Sequence, residues 1–461
     1  MTLLLASLWA VTPGASEQAA RAQTAQPNIV IVMTDDQRWD SVTTRYMPRL
    51  MARMVPGTNA VFLPEAFVSN PLCCPSRVTT LTGTYASTTG VYANEGSFTG
   101  PAGTGGGGFL SFDDDPAVHP TIATDLHDAG YRTGLIGKYL NGYPGNAWAY
   151  TPPGWDRWFS VRTGAYFDYD AATDGRLRHL GTSAREYSTR VLTRRAIGYV
   201  SNAEAAGSPF FLYFALTAPH GPATPDPIDV GRFDADVAGY AHPESVGEQD
   251  ASDKPAYIAG HPWSPTMQQK IDAFHAAQLN TSYGADRAFA RVWDALPDNT
   301  VVLFTSDNGF LWGEHRWQGK TVPYNESLRV PMIVATKGLG APAIDPSRIA
   351  LNVDIRATLE GFAGLTPATD GLDWRDPTWR RPDFVLEHWG ATGVPTYCGV
   401  RSPDRMYVRY STGEEELYDE RSDPLELENM AGAAPQELAV LRTRAQDLCT
   451  SGQIYPPDWP F

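Results

Sequence analysis

Short apolar runs rich in β-branched and aromatic residues recur along the chain, each stopping at a polar cluster, with helical patterns between them. That alternation predicts an α/β sheet. Four runs stand out. Ile29 to Met33 ends in Thr34-Asp35-Asp36, and Arg132 to Ile136 ends in Gly137-Lys138. Phe210 to Leu216 runs into Ala218-Pro219-His220, and Val301 to Thr305 into Ser306-Asp307-Asn308-Gly309. Each places a reactive side chain just past a strand. Ligands gather at the carboxyl ends of strands in open α/β sheets, so these four distant segments are expected to meet at one site.

Met267 to Leu296 has helical spacing and no proline, and it delivers the chain into the Val301 strand. After Asp370 the pattern changes to short strands, Phe384 to Glu387, Tyr397 to Val400, Met406 to Tyr410 and Glu416 to Tyr418, and a last helix is expected over about Pro435 to Leu448. The reading is a large domain over 28–372 and a small antiparallel sheet with one helix over 373–461. No internal repeat is visible. Gly103 to Gly108 and Asp113 to Asp115 read as a flexible, solvated loop.

Residues 1–27 read as an export signal and linker. The apolar run Leu3 to Val11 is too short to span a membrane, and the Ala- and Gln-rich stretch from Glu17 to Gln26 looks like a linker. The positive residues that usually precede such a run are missing. No other segment is apolar enough to cross a bilayer, so the expectation is an exported, periplasmic or extracellular protein without stable membrane insertion.

The 461 residues carry 36 Lys and Arg against 52 Asp and Glu, a formal charge of -16. With no basic surplus to track a nucleic-acid backbone, nucleic acid is not an expected partner. Cations that bind an anionic substrate must then be concentrated in one pocket, which makes individual lysines, arginines and histidines informative. Of four cysteines, Cys73 and Cys74 are adjacent and poorly placed to bridge each other, leaving Cys398 and Cys449 as a structural pair in an oxidising compartment.

The run Leu72-Cys73-Cys74-Pro75-Ser76-Arg77, followed by Leu81-Thr82-Gly83, resembles the signature of the formylglycine-dependent sulfatase family, Cys-x-Pro-Ser-Arg with a later Thr-Gly. The resemblance extends over about Asn28 to Met430, with further motifs in family order. It implies an alkaline phosphatase-like α/β fold, a large mixed sheet flanked by helices plus a smaller C-terminal antiparallel sheet and helix. It also implies that Cys73, not Cys74, is oxidised to Cα-formylglycine by a formylglycine-generating enzyme during maturation. Without the motif, two neighbouring cysteines at a helix start would pass for buried structural thiols. Asp35-Asp36 and Asp307-Asn308 resemble the metal ligands of the family, joined by the converted Cys73. Such hard oxygen donors suit Ca2+, with Mg2+ as the alternative. Taken singly, each Asp pair would more often be a turn or helix cap.

By the same resemblance Arg77 holds the hydrated aldehyde, while Lys138, His220 and Lys320 hold sulfate oxygens. A lone lysine is usually a solvated surface group, but here each follows an apolar strand or the motif order. Many members read Gly-Lys-Trp-His where this chain has Gly137-Lys138-Tyr139-Leu140-Asn141. The proton-handling task of that missing histidine falls to His315 or His220, or to Asn141 as an orienting group.

The expected reaction is in-line attack of a diol oxygen on sulfur, with cations neutralising the developing charge and an acid protonating the leaving alcohol. The second hydroxyl then expels sulfate, an exit that an ordinary Ser or Cys adduct lacks. The substrate is expected to be a sulfated small molecule or glycan. The double cysteine, the Gly137 to Asn141 run and the Ala218-Pro219-His220 turn resemble the N-acetylglucosamine-6-sulfatase branch, which points to a 6-O-sulfated amino sugar, with Trp312, Trp317 or Tyr143 near the pocket. Two rivals stay open: a phosphonate or phosphate ester hydrolase of the same superfamily, and a secreted glycan-binding homologue that has lost catalysis.

Overall fold

The structure is a computed structural model and describes residues 26–95, 106–113, 120–143, 148–162, 164–390 and 393–450. The expected signal at Leu3 to Val11, nearly all of the linker, and the stretches 103–105 and 114–115 lie outside these residues. Gly106–Gly107 is not loop but a short strand beside Val91 and Ala93, followed by a helix over Gly108–Asp113.

Nine strands form the main sheet. In chain order they are β1 (Asn28–Thr34), β2 (Ala60–Phe62), β3 (Arg132–Gly137), β4 (Arg157–Val161), β5 (Tyr169–Thr173), β6 (Arg176–Leu180), β7 (Phe210–Ala215), β8 (Thr300–Ser306) and β9 (Met332–Lys337). Their order across the sheet is β2-β9-β8-β1-β7-β3-β4-β5-β6. The centre, β8-β1-β7-β3-β4, is parallel. Antiparallel strands extend it on both sides. The sheet is thus mixed, with its parallel part in the interior, where helices can cover both faces.

Side chains of a strand alternate between faces, and β1 divides its apolar residues accordingly. Ile29, Ile31 and Met33 enter one hydrophobic cluster, while Val30 and Val32 enter the other. The second cluster contains residues of helix α2 (Ser188–Ala205) and α3 (Pro265–Ala295). Ser264 caps α3 by accepting the Met267 N–H, and Pro265 occupies its first turn, where a missing N–H costs nothing. The first cluster includes Cys74, Val78 and Leu81 of α1 (Cys73–Thr82) and Ile355 and Leu359 of α4 (Asp354–Phe362).

Register places the site. Met33 of β1 lies beside Ala215 and Thr305, and Ala215 beside Gly137, so four strand ends stop at one level. Gly137 adopts φ 131, and a Cβ there would fall 1.7 Å from the Ala215 carbonyl oxygen. Only glycine permits this approach, which turns the chain so that Lys138 leaves the sheet at the level of its neighbours.

Beyond the main sheet, β10 (Phe384–His388), β11 (Tyr397–Arg401), β12 (Arg405–Tyr410) and β13 (Glu415–Asp419) form an antiparallel meander. Helix α5 (Pro435–Thr450) packs on it, and a Cys398–Cys449 disulfide joins strand to helix. Both expectations hold. The meander shares its core with the larger part: Phe67, Tyr324 and Leu351 pack with Phe384, Leu386 and Tyr397.

Candidate active site

Cys73 is the first residue of α1, preceded by extended Leu72. A helix start leaves N–H groups unpaired and carries partial positive charge, a favourable place for a developing anion. The two neighbouring thiols then part company. Cys74 sits in the hydrophobic core, where burial pushes its thiol up to about 12. Cys73 is equally buried but faces charge: its sulfur lies 2.6 Å from Lys320 Nζ and 3.6 Å from Asp35 Oδ1.

Arg77 follows Cys73 by four residues, one helical turn, and so lies on the same face. Its Nε donates to Asp307 Oδ2 at 2.7 Å, one Nη donates to the Lys138 carbonyl at 3.2 Å, and the other lies 3.7 Å from Asp35 Oδ2. Lys138 Nζ donates to Asp35 Oδ2 at 2.7 Å. Lys320 Nζ forms a close ion pair with Asp36 Oδ1. His220 Nε2 is 3.7 Å from Asp36 Oδ2, while its Nδ1 lies 2.6 Å from the Gly221 carbonyl. A carbonyl only accepts, so Nδ1 carries the proton of that bond and Nε2 is directed toward the carboxylates.

Opposite charges decide the ionisation of this cluster. Burial alone would raise the Asp35 carboxyl, but Lys138, His220 and Arg77 hold it well below the usual range. Asp36 is lowered in the same way, against burial, by Lys320 and His220. Burial would strip the proton from His220, yet Asp36 and Asp35 raise it to about 9, so the imidazole is cationic at neutral pH. Lys138 and Lys320 are both raised, their carboxylate neighbours outweighing desolvation.

Exposure divides the cations into two pairs. Arg77 and Lys138 are sealed at 0% and 1% side-chain exposure, whereas Lys320 reaches 14% and His220 25%. Lys138, expected to hold a sulfate oxygen, is sealed against Asp35 as Arg77 is against Asp307, and Lys320 and His220 are the more exposed of the four.

The oxygen donors fit a hard divalent ion. Asp307 Oδ1 accepts the Asp36 N–H at 3.1 Å, and Asn308 Nδ2 donates to Asp36 Oδ1 at 2.8 Å. That leaves Asn308 Oδ1 buried with no hydrogen-bond partner, a costly state for an amide oxygen unless a cation meets it. Donor atoms of Asp35, Asp36, Cys73 and His220 lie within 4.8 Å of one another. Asp36 holds φ 64, a conformation few non-glycine residues adopt outside turns and functional sites.

His315 is not brought into this cluster. Its Nδ1 donates to Glu248 Oε2 at 2.8 Å and its ring stacks on Tyr324 at 4.0 Å between centroids. Asn141 holds the Phe109 N–H through its backbone carbonyl. Of the aromatics expected near the pocket, Tyr143 is a core residue and Trp312 is buried against His275, donating to Gln278. Trp317 packs against Tyr257 and His261.

Other positioning groups escaped sequence reasoning. Tyr166 donates its hydroxyl to the His220 carbonyl at 2.7 Å, and Ser306 Oγ bridges the two strand ends by accepting the Gln37 N–H and donating to the Asn308 carbonyl. Ser306 could have been found from its place beside Asp307. Tyr166 carried no signal.

The model of the sulfatase family matches residues 27–365. The chain belongs to the sulfatase family. Members of that family are sulfuric ester hydrolases. An arylsulfatase of Chlamydomonas reinhardtii is 30% identical over 505 residues, covering 93% of this sulfatase and 75% of the relative. An N-acetylglucosamine-6-O-sulfatase of Bacteroides thetaiotaomicron is 24% identical, covering 94% and 87%. The extracellular sulfatase SULF-1 homolog of Drosophila melanogaster is 29% identical over 373 residues, and the match spans 32% of its length and 78% of this chain. Among solved structures, one determined in complex with its substrate D-glucosamine-2-N,6-O-disulfate superposes with a TM-score of 0.74 at 21% identity, over 95% of this chain and 100% of the other. A phosphonate monoester hydrolase from Silicibacter pomeroyi gives 0.69 at 20% identity, over 94% and 96%. These likenesses establish the expected fold, a mixed alkaline phosphatase-like sheet with a small antiparallel sheet.

Proposed function

We propose that this sulfatase hydrolyses sulfate monoesters with a nucleophile made from Cys73 and one divalent ion, Ca2+ or alternatively Mg2+, held by Asp35, Asp36, Asp307 and Asn308 together with the converted Cys73. The carrying observation is the meeting of Cys73 with four cations and three carboxylates at aligned strand ends, around a buried Asn308 oxygen that has no partner. A formylglycine hydrate at position 73 would supply an oxygen nucleophile and a second hydroxyl, and His220, once it has given its proton to the leaving alcohol, is the base that can take the proton of that hydroxyl as sulfate departs. An ion held there would supply Lewis acidity to the reaction.

The residues of the chain do the rest. Arg77 and Lys138 fix the carboxylates of Asp307 and Asp35 and keep positive charge behind the nucleophile. Lys320, beside residue 73 and near the mouth, neutralises charge on the sulfuryl oxygens. His220, with Nδ1 tied to Gly221, presents Nε2 as the site that carries the proton for the leaving alcohol. His315, engaged with Glu248, takes no part.

The substrate we infer is a 6-O-sulfated amino sugar within a glycan. The sequence run Gly137 to Asn141 and the N-acetylglucosamine-6-O-sulfatase relative support it. The fold shared with a phosphonate monoester hydrolase favours a second reading, hydrolysis of phosphonate esters. Export, with maturation by a formylglycine-generating enzyme, is supported by the Cys398–Cys449 bridge and by the extracellular relative. No helix of the described residues is long and apolar enough to cross a membrane. The division at 372/373 is likewise our reading.

Mass spectrometry of the Cys73 peptide, paired with sulfate release from glucosamine-6-sulfate, its 3-sulfated isomer, an aryl sulfate and the matched aryl phosphonate, tests the proposal. Unmodified cysteine in active protein overturns the nucleophile, and faster phosphonate cleavage overturns the ester class. Preference for the aryl sulfate with no action on either sugar retires the glycan alone.

A further inference from the structure

A second group of ionisable residues, buried except for half-buried Glu326 and Glu420, lies where the large domain meets the C-terminal meander. Five carboxylates gather around it, Glu248, Glu314, Glu326, Glu420 and Glu426. Three cations answer three of them: Arg38 pairs with Glu314 at 2.5 Å, Lys254 with Glu248 at 3.4 Å, and Arg401 with Glu420. Among the described ion pairs, Glu326 and Glu426 have no cation. These two are the carboxylates that share His315: one ring nitrogen of His315 and one oxygen from each glutamate lie within 4.8 Å of one another.

His315 is prepared as a ligand. It is fully buried, and its Nδ1–H donates to Glu248, which fixes the tautomer and leaves a lone pair on Nε2. That Nε2 is buried without a hydrogen-bond partner, and so is Glu426 Oε1, whose sister oxygen accepts the Asn325 N–H at 3.0 Å. A histidine whose second nitrogen is held by a carboxylate is the usual support of a metal-bound imidazole. Both His315 and Glu426 are held at positive φ, 50° and 53°, conformations that cost energy for residues with a Cβ. Burial raises the Glu326 carboxyl to about 7 and Glu426 well above its ordinary value, with neighbouring glutamates adding to both. Arg38 and Arg401 act on these two carboxyls from a distance but do not outweigh burial.

We propose that His315 Nε2, Glu326 and Glu426 bind a second divalent cation, separate from the strand-end ion and structural in role, which ties the C-terminal meander to the large domain. One imidazole with two carboxylates suits Zn2+ or Mn2+ better than Ca2+. Neither glutamate has an ion-pair partner among the described residues, so two carboxylates that give up their protons on binding match a dication, and the ligands come from both sides of the shared core. The inference does not depend on the chemistry at Cys73, because neither glutamate touches the strand-end cluster.

The test uses the full chain and Zn2+ itself. After chelation and dialysis against Zn2+, elemental analysis should find one more ion per chain in wild type than in Glu426→Gln, and Zn2+ should raise the melting temperature of wild type only. Equal ion counts in the two proteins overturn the proposal. If Glu426→Gln does not fold, anomalous diffraction at the zinc edge from wild-type crystals decides: a peak between His315 and Glu426 supports the site, and its absence overturns it. Sulfate release by the same wild-type sample, measured separately, reports on the Cys73 reading alone.

Discussion

Asp35 at the end of the parallel sheet and Glu387 in the antiparallel meander are both carboxyl groups buried to within 1% of completely, yet they are pushed in opposite directions. Burial is the largest influence on each and raises both. At Asp35 three cations overturn it. At Glu387 the helpers are hydrogen bonds, from Ser87 and from the Ala86 N–H at 3.0 Å, and the charge that acts on it, Asp370, is of the same sign; the carboxyl rises to about 8. Burial therefore sets the cost of a charge, and the neighbours decide whether the charge survives. The strand-end region is built to keep anions ionised next to Cys73. The meander keeps its acid neutral, as a packing and hydrogen-bonding group.

The largest way to break this contrast is to remove the group that the charges surround. Cys73→Ala should lower sulfate release by about three orders of magnitude or more, the scale seen when a covalent nucleophile is lost. Cys74→Ala, which trims a neutral core thiol, should keep most of the activity and lose only a little stability. A dead Cys74 variant beside an active Cys73 variant would reverse the assignment.

Next in size is Asp307→Asn. It removes the charge that Arg77 Nε contacts at 2.7 Å in full burial, leaving the guanidinium with the Lys138 carbonyl and the more distant Asp35 carboxylate, and breaking a buried pair costs up to about 3–5 kcal/mol. The melting temperature should fall and turnover should be lost. Exhaustive chelation of wild type should also remove turnover while leaving far-UV circular dichroism unchanged. Full activity with no bound metal found by elemental analysis would show that the carboxylates serve only their cations.

Much of this site was legible in the sequence because its residues sit at strand ends, where an apolar run stops at a polar cluster. Asp35, Asp36, Lys138, His220, Asp307 and Asn308 are all of that kind, and register alone brings them together. Cys73 and Arg77 were legible through the motif, and the structure sets them one helical turn apart. The meander and its last helix followed from short alternating runs. Long-range partners were not legible. Tyr166 reaches the His220 carbonyl from a loop more than fifty residues earlier, and Gln278 on α3 accepts from Trp312, contacts that no local pattern encodes. His315 misled for a related reason: the chain turns through positive φ at His315 and Arg316, a conformation their residue types do not announce, and the ring faces Glu248.

The meander can be loosened without touching the strand ends. Cys398→Ser with Cys449→Ser opens a bridge of 51 residues' separation, which should cost about 2–5 kcal/mol through the entropy of the unfolded chain. The melting temperature should drop by several degrees, with turnover at low temperature preserved, as thermal melts beside sulfate-release assays would show. Equal loss of turnover at low temperature would mean that the meander positions the catalytic groups.

The smallest effect tests the neutral acid directly. The Glu387 carboxyl stands at about 8 in the folded protein, above the ordinary value of 4.5, so the fold favours its protonated form. Below pH 4.5 both folded and unfolded chains carry that proton and the contribution to stability is complete. Between 4.5 and 8 the unfolded chain has released the proton while the folded one retains it, so stability declines as pH rises, by up to about 1.4 kcal/mol per pH unit from this group. Glu387→Gln keeps an oxygen for the Ala86 N–H and has no proton to lose. Its melting temperature should therefore fall less than that of wild type from pH 5 to pH 8, with the two converging at the acid end of that range. Parallel declines in the two proteins would mean that Glu387 is ionised in the fold, and the contrast with Asp35 would then rest on distance from cations rather than on protonation.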